Sequence, residues 1–204
     1  MKRLLIVVAL FAMAYPTSSS AIVGVGLGGS VGFASYSGDV LPASGDVGEG
    51  TQYGLILELS TLPVVDAELH LNYFEKDFTY SYDVGGVPVS EDFQFRDISA
   101  TAIVKKNVMP VPMSPLKLYV GAGLGYHILN TEVAKYAVTN PSQADDPVAL
   151  LENTGKTSVQ GMLGVKLAPP VIPLAVYSEY RFGRIITENK ISTSQFEAGI
   201  MMKF

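Results

Sequence analysis

Apolar and polar residues alternate one by one through most of this chain. In its last stretch Phe196, Ala198, Ile200, Met202 and Phe204 share one side, with Gln195, Glu197, Gly199 and Lys203 on the other. A period of two predicts an extended strand with two unlike faces. The pattern predicts eight such strands: 22–36, 51–60, one starting at 66, one ending near 105, 117–130, 156–167, 174–187 and 191–204. In the fifth, Leu118, Val120, Ala122, Leu124, Tyr126 and Ile128 oppose Tyr119, Gly121, Gly123, Gly125 and His127. No segment shows helical periodicity of comparable strength, and no long linker divides residues 22–204, so one all-β domain is expected.

The third and fourth strands fix their own register. Pairing across a Gly85-Gly86 turn sets Val84 opposite Val87, Tyr73 opposite Ile98, Leu71 opposite Ala100, Leu69 opposite Ala102 and Ala67 opposite Val104. Up to Tyr73 the outward side is apolar. Beyond it Glu75, Asp77, Thr79, Ser81 and Asp83 take that side, facing Arg96, Gln94 and Asp92, while Phe78, Tyr80, Tyr82, Phe93 and Phe95 turn inward. A hairpin that leaves lipid for water switches in this way, because the low-cost outward side chain changes from apolar to polar. A membrane boundary is therefore expected near Tyr73 and Ile98, with residues 77–95 projecting beyond it.

The connections alternate in kind. Pro-rich links at 61–65, 107–115 and 168–173 join strands two to three, four to five and six to seven. Longer, more polar or Gly-rich links at 37–50 and 131–155, together with the 85–86 hairpin, lie at the other end; only 188–190 is short there. A barrel crossing a membrane with short turns inside and long loops outside has this asymmetry.

The N-terminal end reads as an export signal. Lys2 and Arg3 precede an apolar run from Leu4 to Ala14, Pro16 breaks it, and Ser19 and Ala21 are the small residues a signal peptidase selects. The run is shorter than the about 20 apolar residues of a spanning helix. Cleavage after residue 21 is expected. It leaves 12 basic against 19 acidic residues, a net charge of −7, which argues against nucleic acid as a partner. There are no cysteines, so neither disulfides nor thiolate chemistry is in prospect. The chain is hydrophobic on average yet has no later run long enough for a spanning helix. Only helices and closed barrels satisfy their backbone hydrogen bonds in lipid, which leaves an eight-stranded antiparallel up-and-down transmembrane β-barrel.

The C-terminal strand carries a more specific signal. Glu197, Gly199, Met202 and Phe204 fill the polar-x-Gly-x-x-apolar-x-aromatic pattern that resembles the C-terminal assembly signal of bacterial outer-membrane barrels. With the strand count, the chain resembles the small eight-stranded barrels of the OmpX type and of the OmpA transmembrane domain. The resemblance implies a bacterial outer-membrane location, assembly by the outer-membrane insertion machinery after periplasmic chaperoning, outer-membrane lipids and lipopolysaccharide as surroundings, and a monomer. It implies no particular chemistry. Girdle positions at headgroup level fall to Phe33, Tyr53, Tyr73, Tyr126, Tyr180, Phe182, Phe196 and Phe204.

The candidate working parts follow from the register. Glu58, Glu68, Asp97, Lys166, Glu179, Arg181, Glu197 and Lys203 point inward and are expected to pair as a charge network, since eight-stranded barrels are just wide enough for side chains to fill. His70 and His127 also point inward, with no nucleophile–base pair or metal-ligand spacing in the sequence around them, so no enzyme activity, metal or cofactor is expected. Gly24-x-Gly26-x-x-Gly29 formally matches a dinucleotide fingerprint but lies within a strand with no helix after it. The function expected is support of the envelope or surface interaction through the external loops, chiefly the 77–95 hairpin with Phe78, Tyr80, Tyr82, Phe93 and Phe95. The alternatives are a narrow channel or hydrophobic-ligand conduit and, less favoured, a lipid-modifying enzyme.

Overall fold

The computed structural model is a closed antiparallel barrel of eight strands in chain order: β1 (Gly24–Ser37), β2 (Gly48–Ser60), β3 (Asp66–Val84), β4 (Val87–Asn107), β5 (Leu116–Lys135), β6 (Thr154–Leu167), β7 (Leu174–Ile186) and β8 (Ile191–Lys203). The described residues are 24–38, 47–60, 65–84, 87–108, 115–135, 154–169, 171–187 and 191–204, without the side chains of 80–84, 87–89, 91, 132–135 and 154. The expected leader at 1–21 and the Gly85-Gly86 turn lie outside them. No helix among these residues is long and apolar enough to cross a membrane. Every strand pairs with its sequence neighbour, and β8 returns to β1, so the sheet has no free edge around its waist.

The β3–β4 register is the one the polarity pattern demands: Val84 opposes Val87, Tyr73 opposes Ile98, and Ala67 opposes Val104. Alternation then divides the side chains cleanly. Along β7 and β8 buried and exposed residues take turns almost without exception. The exposed set is apolar, with Leu124 at 68% exposure, Ile200 at 59% and Val104 at 55%. So broad an apolar exterior is stable in lipid and not in water. Phe33, Phe196 and Tyr180 are successive cross-strand partners on β1, β8 and β7, and Tyr53 opposes Tyr73 on β2 and β3, forming an aromatic band at one level.

Strand lengths set the shape. β1, β2, β6, β7 and β8 have 13 or 14 residues, close to what a tilted strand needs to span the hydrocarbon. β3, β4 and β5 have 19, 21 and 20 and stand well above the rest. β5 continues five residues past its expected end at Asn130, because the tall β4 offers it a ladder as far as Asp92 opposite Lys135, with a bulge at Asp92 and Phe93. The projection is therefore a three-stranded sheet rather than a lone hairpin.

Two glycines show how tightly the wall is packed. A β-carbon on Gly32 would come within 2.7 Å of Glu197 Cα across the β1–β8 seam, and one on Gly164 would meet the Tyr119 ring at 2.6 Å. Tyr119 is the direct partner of Gly164, an aromatic ring laid over a strand glycine.

Candidate functional site

The half of the interior nearer the chain termini holds a continuous ionic chain. Lys166 on β6 pairs with Glu58 on β2, and Lys105 on β4 reaches Glu58 at 2.8 Å and also pairs with Glu68 on β3. Glu68 contacts His70 Nε2 at 3.1 Å, His70 Nδ1 lies 3.4 Å from Glu197, and Arg181 donates to Glu197 at 2.6 Å. Tyr119 donates to Glu179 at 2.5 Å, and the Lys105 ammonium sits 4.5 Å from the Tyr119 ring centre. Each member is nearly inaccessible to solvent. An isolated charge at this depth would cost several kcal/mol, and alternation of sign along the chain removes most of that cost.

Seven strands contribute, and some pairs reach straight across the lumen. β2 and β6 are opposite members of the ring, as are β3 and β7, whose Asn72 and Arg181 meet at 3.4 Å. The network differs from the sequence reading at three points. Lys105 was not among the expected members although it shares the inward parity of Asp97, Ser99 and Thr101, a signal that extending the alternation to the strand end picks up. Lys203 is only partly buried and joins none of these pairs, because it is the last inward position of β8, where water reaches the strand ends. Asp97 belongs to a separate cluster nearer the hairpin end.

Glu68, His70 and Glu179 offer ligand atoms within 4.8 Å of one another. Lys105 and Tyr119 already bond two of these carboxylates, and Lys105, Lys166 and Arg181 oppose any further cation there. The residues present do not fit a metal.

The other half of the interior begins with Asp97, His127 and Ser158, from β4, β5 and β6. Asp97 Oδ2 lies 2.7 Å from His127 Nδ1, and Ser158 Oγ lies 2.9 Å from His127 Nε2. The Tyr36 hydroxyl donates to Asp97 at 2.6 Å from across the barrel. The sequence gives no hint of this Ser158 contact, because 31 residues separate the pair and only the β5–β6 register closes the gap. Above them Tyr36, Phe74, Phe95, Leu129, Ile185 and Ile191 form one apolar cluster with Ala34 and Val47.

The projecting hairpin is two-faced. Outward, Gln94 donates to Glu75 and to Asp77 at 3.1 Å, Thr79 donates to Asp92 at 2.8 Å, and Arg96 pairs with Glu75 at 3.5 Å. On the other face Phe78 stacks on Phe93, with centroids 5.7 Å apart. Phe93 and Phe95, expected to turn inward on this hairpin, are wholly buried. Phe95 belongs to the apolar cluster and Phe78 packs against it, so the Phe78–Phe93 stack continues that cluster into the hairpin, where a large ring loses most contact with water. Tyr80 and Tyr82 lie outside the described side chains.

Residues 4–204 match the family described as outer membrane protein beta-barrel domain. The chain belongs to that family. Its members' setting, the bacterial outer membrane, is this protein's setting, and lipid surrounds its apolar face. Among solved structures it is similar to Neisserial surface protein A, with 16% identity, 88% of this chain and 97% of that one covered, and a TM-score of 0.59. It is also similar to the outer membrane protein OprG from Pseudomonas aeruginosa, with 15% identity, 89% and 95% covered, and a TM-score of 0.53. At these identities the likeness is one of fold. No curated protein matches the chain by sequence.

Proposed function

We propose that this outer-membrane barrel works at the cell surface, engaging an external partner through the projecting β3–β4–β5 sheet. The observation that carries the reading is the extension of β3 and β4 by 11 residue pairs beyond Tyr73–Ile98, with the outward face changing there from apolar to hydrogen-bonded polar side chains. On the second side of β3 the paired ladder stops at Gln52 opposite Phe74, and β2 itself ends at Gly48, short of Thr79. A two-residue turn makes Val84 and Val87 a hydrogen-bonded pair, so the N–H groups of Asp77 and Thr79 point to that side, and Thr79 lies past the end of β2. An extended segment of a partner adds to such an edge through main-chain bonds. Glu75, Asp77 and Asp92 against Arg96 favour a basic one.

Orientation follows from the same asymmetry: the hairpin end faces outside, and the ends of the chain face the periplasm. There the β8 residues Glu197, Gly199, Met202 and Phe204 act as the signal read by the insertion machinery after chaperone delivery, and lipopolysaccharide surrounds the outer aromatic band. Ionic pairs that meet across the lumen weigh against a channel or conduit.

The test is adhesion of cells carrying the protein to a panel of extracellular matrix and cell surfaces. Thr79→Pro removes one edge donor without touching the β3–β4 ladder, and Asp77→Lys with Asp92→Lys reverses the charge. Loss of adhesion in both, with the barrel still resistant to unfolding in cold detergent, supports the reading. Unchanged adhesion in both overturns it.

A further inference from the structure

His70 is the middle link of the ionic chain, and both of its ring nitrogens face carboxylates. Nε2 lies 3.1 Å from Glu68 Oε2, and Nδ1 lies 3.4 Å from Glu197 Oε1. Each carboxylate gives its other oxygen to a different cation: Glu68 Oε1 to Lys105, and Glu197 Oε2 to Arg181, with the Ser30 hydroxyl donating to it as well. Neither His70 Nδ1 nor Glu197 Oε1 has another polar partner among the described residues. A neutral imidazole carries one N–H and one lone pair. It would aim that lone pair at one of two buried carboxylates, where an unpaired oxygen is most costly. The imidazolium donates to both.

The charge count agrees. Glu58, Glu68, Glu179 and Glu197 supply four negative charges, and Lys105, Lys166 and Arg181 supply three positive ones. A positive His70 brings the sum to zero. These groups come from every side of the lumen: Glu58 from β2, Glu68 from β3 itself, Lys105 from β4, Lys166 from β6, Glu179 and Arg181 from β7, and Glu197 from β8. From β5, β7 and β1 come only the hydroxyls of Tyr119, Tyr177 and Ser30, and the cross-strand neighbours Ile56 and Thr101 carry no charge. Tyr119 donates to Glu179 at 2.5 Å, a short bond of the kind an ionised carboxylate accepts, which places the balancing proton on His70 and not on Glu179. His127 differs. It faces one carboxylate, Asp97, at Nδ1 and the Ser158 hydroxyl at Nε2, and a hydroxyl donates as readily as it accepts, so one ring proton serves it.

We propose that His70 is held as an imidazolium at neutral pH and works as a pH-sensitive latch between the two parts of the ionic chain. On one side of it are Lys166, Glu58, Lys105 and Glu68, and on the other Glu197 and Arg181. β1 and β2 separate β3 from β8 in the ring, so His70 ties strands that are not neighbours. Loss of its proton leaves one negative charge unbalanced and turns a lone pair toward Glu68 or Glu197. The tie then opens. A ring protonated in the folded barrel but neutral in the unfolded chain adds stability that is whole at low pH and is lost as the pH rises until His70 itself gives up its proton. The latch does not rest on the surface role proposed above, and its test leaves that role untouched.

The sequence has two histidines, so the tag-free protein labelled with ¹⁵N at histidine gives two imidazole signal sets in detergent micelles. His70→Gln assigns them, and His127→Gln does so if His70→Gln fails to fold. Both ring nitrogens of His70 are expected to be protonated at about pH 7. Urea unfolding in lipid vesicles is then followed from about pH 7 to about pH 9.5 for the wild type and His70→Gln. The unfolding constant of the wild type rises relative to that of the variant, by up to about tenfold per pH unit. A single ring proton on His70 at pH 7 overturns the proposal, and so does a ratio of unfolding constants that stays fixed across the pH range.

Discussion

Glu58 and Lys166 stand on opposite walls of the barrel, on β2 and β6, yet their side chains form a direct ion pair. Glu58 also holds Lys105, so one carboxylate ties three strands together through the lumen. Glu58→Ala leaves Lys166 with only Glu68, 3.9 Å away, and lowers stability by about 3 kcal/mol. Replacing both ends with methionine recovers part of that loss, since an apolar pair needs no partner. Urea midpoints in lipid vesicles, read by gel mobility, check both; a double variant as weak as the sum of the single ones would mean that the pair is not coupled.

Gly164→Ala drives a methyl group into the Tyr119 ring and pulls its hydroxyl from Glu179. The expected loss is about 1–3 kcal/mol, measured in the same way. An unchanged midpoint would show that the ring has room to move.

Leu124 is 68% exposed and pairs with Ala102 and Val159 near the middle of the outer face. Leu124→Arg costs about 2–4 kcal/mol in a bilayer. Asp77→Arg, on the same side of the wall but above the aromatic band, costs little. Equal penalties at the two positions would contradict the boundary at Tyr73.

Phe204 closes the seam through its backbone, donating to Val25 at 2.8 Å and accepting from it at 3.3 Å, while its ring is 48% exposed. Phe204→Ala therefore changes stability little in refolded protein. In cells it sharply lowers the amount of folded barrel, because the ring is read during assembly. Equal folded amounts in cells for both chains would remove the assembly role.

Purified protein in planar bilayers is expected to be electrically silent, because Glu58 with Lys166 and Asn72 with Arg181 bridge the lumen below the apolar cluster. Reproducible conductance steps that change on Arg181→Ala would restore the conduit reading.

The sequence by itself determined the strand number, the inside and outside of each strand and the β3–β4 register from Val84–Val87 down to Ala67–Val104. These are local properties: a period of two and a change of polarity at Tyr73 are written in neighbouring residues, and a slip of one position would turn every apolar side chain to the wrong face. What meets what across the lumen was decided by tertiary structure alone. Lys105 between Glu58 and Glu68, Ser158 against His127, and Phe95 within the apolar cluster all depend on barrel closure and on how far each side chain reaches. The extra length of β5 has the same origin, because it forms only where the tall β4 stands beside it. Alternation says which way a residue faces; the residue it touches on the far wall is fixed only when the sheet closes.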